Sequence, residues 1–197
     1  MDILDFLQSK DTLFYVEWSA TLLGFIFIIL AIKENIWCWL FGIISTALSV
    51  YLFYKYKLYS ETILNFLYTL FGIYGWLQWN KKSEETPLKI STWTGIQHAK
   101  TIGLGLVLAI GLGYFFKTYT DADKSFIDAQ TSVFGLIATY LEANKILGSW
   151  IYWIIINGIT IWLFWTKGLE VYTWLMVVYF ILSFMGYYQW RKQYKEA

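Results

Sequence analysis

The stretch "GYYQW" at residues 186–190 repeats "GWLQW" at residues 75–79, displaced by 111 positions. The same displacement sets Glu17 on Asp128, Gly24 on Gly135, Trp39 on Trp150, Thr46 on Asn157, Phe53 on Phe164 and Tyr68 on Tyr179, with no gap. An aromatic-rich composition alone would seldom place all of these matches at one offset. The chain is therefore two copies of one unit with a segment between them.

What the unit is made of follows from its hydropathy. Of 197 residues, 58% are hydrophobic, 22% aromatic and only 15% charged, outside the usual mixture of a soluble domain. Continuous apolar runs such as "LGFIFIILAI" and "LGLVLAIGLG" lack the alternation of a transmembrane strand, and about 20 such residues cross a bilayer as a helix. Spans are predicted at 15–32, 36–54, 60–80, 99–116, 126–143, 148–166 and 169–190. The fold class is an all-α integral membrane protein of seven transmembrane helices. Spans one to three repeat as spans five to seven, and the fourth links them, so the two copies enter the membrane in the same direction: a 3+1+3 parallel pseudo-repeat.

The resulting divisions are 1–80 for the first three-helix repeat, 81–120 for the connector and linker helix, and 121–197 for the second repeat. The linker helix carries Gly105, Ala109 and Gly113 at small-xxx-small spacing, suited to close helix contact. The connector "NKKSEETPLKIST" holds the only proline, Pro87. The start, "MDILDFLQSKD", is acidic and lacks a small-residue cleavage site, so it does not read as a removable signal peptide.

Lysines and arginines near the span ends set the orientation. Lys10, Lys55, Lys57, Lys117, Lys124 and Lys167 share one side. Lys33, Lys81, Lys82, Lys89, Lys100, Lys145, Arg191, Lys192 and Lys195 share the other. The excess predicts a cytoplasmic C-terminus and an outside N-terminus. A net charge of +1 gives no footprint for nucleic acid. The single cysteine, Cys38, reads as a small buried apolar residue, and His98 has no Cys or His neighbour at metal spacing.

Polar and small residues inside spans turn toward the bundle, because hydrocarbon offers them no hydrogen bond. Trp39, Gly42, Thr46 and Ser49 share one face of span two, answered by Trp150, Trp153, Asn157 and Thr160 in span six. Asn65, Tyr68 and Gly72 in span three are answered by Met176, Tyr179 and Ser183 in span seven. A central path lined by both copies is expected, with Trp150, Trp153, Asn157, Trp39, Thr46, Asn65, Tyr68 and Tyr179 as the substrate-binding candidates. Trp153 and Asn157 answer Gly42 and Thr46, so the lining is lopsided and suits a ligand with one aromatic and one polar end. Tyr68, Tyr179 and Asn65 read equally as packing residues. Trp18, Trp37, Trp79, Trp174 and Trp190, near span ends, read as interfacial anchors.

The W-x-x-W-x-x-x-N arrangement at 150–157, "DAQTS" at 128–132, "YGWLQW" at 74–79 and "YYQW" at 187–190, within the 3+1+3 repeat, resemble the PnuC family of bacterial vitamin transporters. The resemblance covers essentially the whole chain. It implies a SWEET-like bundle in the bacterial inner membrane and a substrate that is nicotinamide riboside or, in a sister branch, thiamine. It further implies facilitated diffusion with trapping by a cytoplasmic vitamin kinase, an oligomer, and a binding motif that falls on Trp150, Trp153 and Asn157. Leu40 departs from the family, many of whose members have proline after the corresponding tryptophan.

Coupling to protons or sodium has no seat at mid-span, and no phosphate loop is present, so passive alternating access is expected, with no cofactor. A sugar facilitator of SWEET type is open to the same architecture. A membrane enzyme would need paired acids, a nucleophile with its base, or a metal cluster, and the sequence offers none.

Overall fold

The computed structural model describes residues 12–81, 88–119 and 125–196. The opening acidic stretch, Lys10, Lys82, Pro87 and Lys124 lie outside the described residues. Among the described residues the chain forms seven helices: α1 (Thr12–Ile32), α2 (Trp37–Lys55), α3 (Tyr59–Trp79), α4 (Gly95–Tyr119), α5 (Ser125–Ala143), α6 (Ser149–Thr166) and α7 (Glu170–Glu196). At about 1.5 Å per residue the shortest, α6 with 18 residues, reaches about 27 Å and the others more, within the range of lengths that spans a hydrocarbon core of ~30 Å. By length and composition α1, α2, α4 and α6 are apolar enough to do so unaided. α3, α5 and α7 carry more polar residues, several of them in the hydrogen bonds described below.

Six of the seven predicted spans match within three residues at each start. The fourth starts at Gly95 rather than residue 99, because Thr94 and Gln97 form a capping box. The Gln97 amide donates to Thr94 Oγ1 at 3.3 Å and the Thr94 amide donates to Gln97 Oε1 at 2.8 Å. The seventh continues past residue 190 to Glu196, since "RKQYKE" is a helix-forming charged tail with an exposed Lys192–Glu196 pair at 4.0 Å.

The chain divides into two compact units, the first ending at Leu77 and the second beginning at Gln78. In the first, α1 packs on α2 and α2 on α3. Gly42 lies under the Phe27 ring and Gly72 under Ile43, where an added Cβ would stand 2.8 Å from side-chain carbons in each case. In the second unit α4 packs along α5 on its small-residue stripe. Gly105, Ala109 and Gly113 are buried, and Phe134 and Phe126 of α5 press onto the two glycines. The segment before α4 is tied to the α5–α6 turn by two backbone bonds, the Ser91 amide donating to Lys145 O (3.0 Å) and the Leu147 amide to Ser91 O (2.9 Å).

The internal repeat extends to the turns. Glu34 and Lys145, 111 apart, both take positive φ (53° and 51°), as do Lys57 (59°) and Gly168 (71°). Their helix ends close with the same Schellman pattern. The Asn35 amide donates to Leu30 O and the Ile146 amide to Leu141 O; the Leu58 amide donates to Phe53 O and the Leu169 amide to Phe164 O, all at 2.9–3.0 Å.

Cys38 is fully buried, as its apolar reading required. Trp18, Trp37 and Trp174 are exposed, whereas Trp190 departs from the anchor expectation. It is fully buried, edge-on to Trp150 with ring centroids 5.5 Å apart.

Candidate functional site

The tryptophans that open α2 and α6 do the same mechanical work. The Trp39 ring stands on Gly75 of α3, where an added Cβ would fall 2.5 Å from ring carbons, and the Trp150 ring stands on Gly186 of α7 at 2.4 Å. Glycine is required at both places because the indole occupies the space of a side chain. Trp39 and Trp150 are each 1% exposed, and each meets a further ring edge-on: Phe27 at 5.7 Å and Trp190 at 5.5 Å.

Trp150, Trp153 and Asn157 share an arc of about 60° on α6, and the arc spans two neighbours. Trp150 and Asn157 meet α7, while Trp153 turns toward α5. There its indole Nε1 donates to Glu142 Oε2 at 3.1 Å. Glu142, the penultimate residue of α5, is 1% exposed. Asn157 is buried, and its Nδ2 donates to Ser183 Oγ at 3.1 Å; Ser183 in turn donates to Tyr179 O at 2.8 Å. A tryptophan face, a carboxylate and an amide are thus set within the end and middle of one three-helix unit.

The first unit bridges the equivalent helices with a pair of hydroxyls. Thr46 Oγ1 and Thr69 Oγ1 are 2.8 Å apart, and Thr69 Oγ1 lies 2.9 Å from Asn65 O. The Asn65 side chain folds back on its own helix, Nδ2 donating to Glu61 O at 2.9 Å. Tyr68 and Tyr179 are half-buried. Of the eight candidates, then, Trp153 and Asn157 hold side-chain bonds to α5 and α7, Thr46 holds one to α3, and Trp39 and Trp150 are packed on glycines.

Glu142, Ser183 and Thr69 were not among the candidates. Glu142 carried a legible signal, since it answers Ala31 in the repeat just as Trp153 answers Gly42. The repeat breaks at both positions together.

Other features lie apart from this constellation. An apolar cavity of about 360 Å³, lined by residues such as Ile102, Phe134, Tyr152 and Ile156, opens on a different face of α6 and includes none of the eight candidates. His98 sits there against Gly148, its Nδ1 3.2 Å from the Tyr152 hydroxyl. Among the described residues no group of three His, Cys, Asp or Glu could hold a metal. Asp128, partly exposed at the start of α5, pairs with Lys167 at 4.0 Å.

A family model described as nicotinamide mononucleotide transporter matches residues 14–192. The nicotinamide riboside transporter PnuC of Escherichia coli (strain K12) is 26% identical over 199 aligned positions, covering 87% of this chain and 82% of that protein. PnuC of Neisseria mucosa is 27% identical over 194 positions, covering 89% and 72%. The riboflavin/roseoflavin transporter RibM of Streptomyces davaonensis is 22% identical over 185 positions, covering 89% and 85%. A crystal structure of the vitamin B3 transporter PnuC matches with a TM-score of 0.76 at 25% identity, covering 98% of this chain and 86% of that one. With the family model running from the first helix to the last, this chain belongs to the nicotinamide mononucleotide transporter family, a family of multi-pass membrane transporters rather than enzymes.

Proposed function

We propose that this chain carries nicotinamide riboside across the bacterial inner membrane by facilitated diffusion. The observation that carries the reading is the Trp153–Asn157 face of α6, with Glu142 behind the indole and Ser183 behind the amide. A pyridinium ring is flat and cationic, and an indole face attracts such a ring by about 0.5–2 kcal/mol. An amide both donates and accepts, which suits ribose hydroxyls. The two PnuC relatives, named for nicotinamide riboside, support the same substrate.

In this reading Trp150 and Trp39 form the rigid backing of the path. Thr46, Asn65, Tyr68 and Tyr179 complete its polar lining. Transport is by alternating access about a midplane site, and a cytoplasmic kinase traps the product. The N-terminus lies outside and the C-terminus in the cytoplasm, as the lysine excess favours, and the protein works as a homo-oligomer on family precedent.

Thiamine is the rival substrate, because it too joins a cationic ring to a hydroxyl and an amine. Calorimetric titration of the purified chain with nicotinamide riboside, thiamine and riboflavin separates the possibilities. Nicotinamide riboside should bind, and Trp153→Ala and Asn157→Ala should each weaken it roughly tenfold or more. Binding of thiamine or riboflavin alone would reassign the substrate. In liposomes without kinase, internal vitamin should level off at the outside concentration; accumulation above it would overturn the passive mechanism.

A further inference from the structure

We infer that Glu142 and Trp153 act as one recognition pair, in which the buried carboxylate polarises the indole so that the site prefers a positively charged ring to an uncharged ring of the same shape. The inference rests on the functional reading above, since it takes the vitamin ring to meet Trp153.

Three observations carry it. First, Glu142 is almost wholly buried and receives one side-chain bond, from Trp153 Nε1 at 3.1 Å. Among the described residues it has no ion-pair partner. The nearest lysine in sequence, Lys145, has its ammonium 4.6 Å from the centre of the Trp79 ring. Burying a carboxylate without a cation is costly, and a cation that arrives as ligand offsets that cost, so an ionised Glu142 and a cationic ligand favour each other.

Second, packing alone does not call for the acid. At the equivalent place in the first unit Gly42 stands where α6 has Trp153, and the space above it is filled by the Phe27 ring, which needs no polar partner. Phe27 itself is answered by Ala138, which is fully buried in the cluster against which Trp153 packs. The second unit therefore moved its ring from the first helix to the second, and gained an indole N–H and a carboxylate to receive it.

Third, the bond has a direction that matters. A carboxylate accepting from the indole N–H pushes electron density into the ring, and a more negative ring face binds a cation more strongly. Trp153 is only half-buried, so a face remains within reach of a ligand. Glu142 acts through Trp153 and is a positioning residue for charge selectivity.

The test compares nicotinamide riboside with its dihydro form, which keeps the ribose and the amide but has an uncharged ring. Both are titrated onto the full chain in nanodiscs: wild type, Glu142→Gln and Trp153→Phe. The glutamine keeps an acceptor for the indole, and the phenylalanine keeps a ring without the N–H. The wild type should prefer the cationic form. Glu142→Gln should weaken that form by about tenfold and the neutral form by less than about twofold, and Trp153→Phe should shrink the same ratio. Equal weakening of both forms by Glu142→Gln would reduce Glu142 to a structural prop, and no weakening of either would remove it from recognition; both overturn the inference. Wild type that binds neither form overturns the functional reading, and this inference with it. Should Glu142→Gln fail to fold, an undiminished ratio in Trp153→Phe overturns the inference by itself.

Discussion

The two three-helix units share a wedge and differ in a ring. In each, a tryptophan at the start of the second helix stands on a glycine near the end of the third, Trp39 on Gly75 and Trp150 on Gly186. In each, the turns close through the same backbone bonds with left-handed residues at equivalent positions. One turn along the second helix the likeness stops. The first unit has Gly42 under Phe27; the second has Trp153 packed on the buried cluster that includes Ala138 and bonded to Glu142. Thr46 bonds Thr69 in the first, whereas its counterpart Asn157 bonds Ser183 in the second, one turn further along the third helix than the position that answers Thr69. What is common builds the unit, and what differs gives the Trp153–Glu142 and Asn157–Ser183 bonds to only one copy.

The exchange of ring between helices can be broken directly. Gly42→Trp drives an indole into Phe27, and Phe27→Ala empties the space above Gly42. Overpacking costs about 1–3 kcal/mol, and removing Phe27, which is half-buried, should cost less than the ~3–5 kcal/mol of a fully buried phenylalanine. If the two units are size-complementary versions of one layout, the double substitution should cost less than the two singles added together, with coupling of about 2 kcal/mol. Apparent melting in detergent across the four proteins measures it. Strict additivity would mean that the second unit's arrangement cannot be transplanted.

The wedge predicts equality instead. Gly186→Ala and Gly75→Ala each place a methyl about 2.5 Å from ring carbons of a buried tryptophan, and each should destabilise by about 1–3 kcal/mol. A cost confined to one of them would show that only one tryptophan is held rigidly. Asn157→Ala and Thr46→Ala remove the bridges between second and third helices and should cost about 0.6 kcal/mol each, and Asn157→Ala should weaken vitamin binding more than Thr46→Ala does.

Most of this framework was legible in the sequence. Seven apolar runs gave the helices, and the single offset of 111 gave the correspondence that the turns and wedges display. Two things escaped. The start of α4 depended on a four-residue capping pair, Thr94 and Gln97, that hydropathy does not register. Glu142 sits one residue from a helix end, where an acid normally reads as solvated. Its burial and its bond to Trp153, eleven positions on, come from the turn between α5 and α6. Helical spacing put Trp150, Trp153 and Asn157 on one arc, but spacing says nothing of which neighbour each part of the arc meets.

The smallest effect concerns the turns, where the units agree in geometry and differ in residue. Lys57 and Gly168 hold equivalent left-handed conformations, φ 59° and 71°. Nothing lies within 4 Å of a Cβ built on Gly168, so Gly168→Ala meets no clash and pays only the backbone cost of a side chain at positive φ, about 1 kcal/mol. Lys57→Gly relieves that cost and loosens the unfolded chain by a comparable or smaller amount, for a net change between zero and about +1 kcal/mol in favour of the fold. Opposite signs at the two positions, read as shifts in apparent melting temperature, would show that each turn bears its own strain. Destabilisation at both would mean instead that the lysine side chain itself holds the α2–α3 turn, a contact for which the second unit has no counterpart.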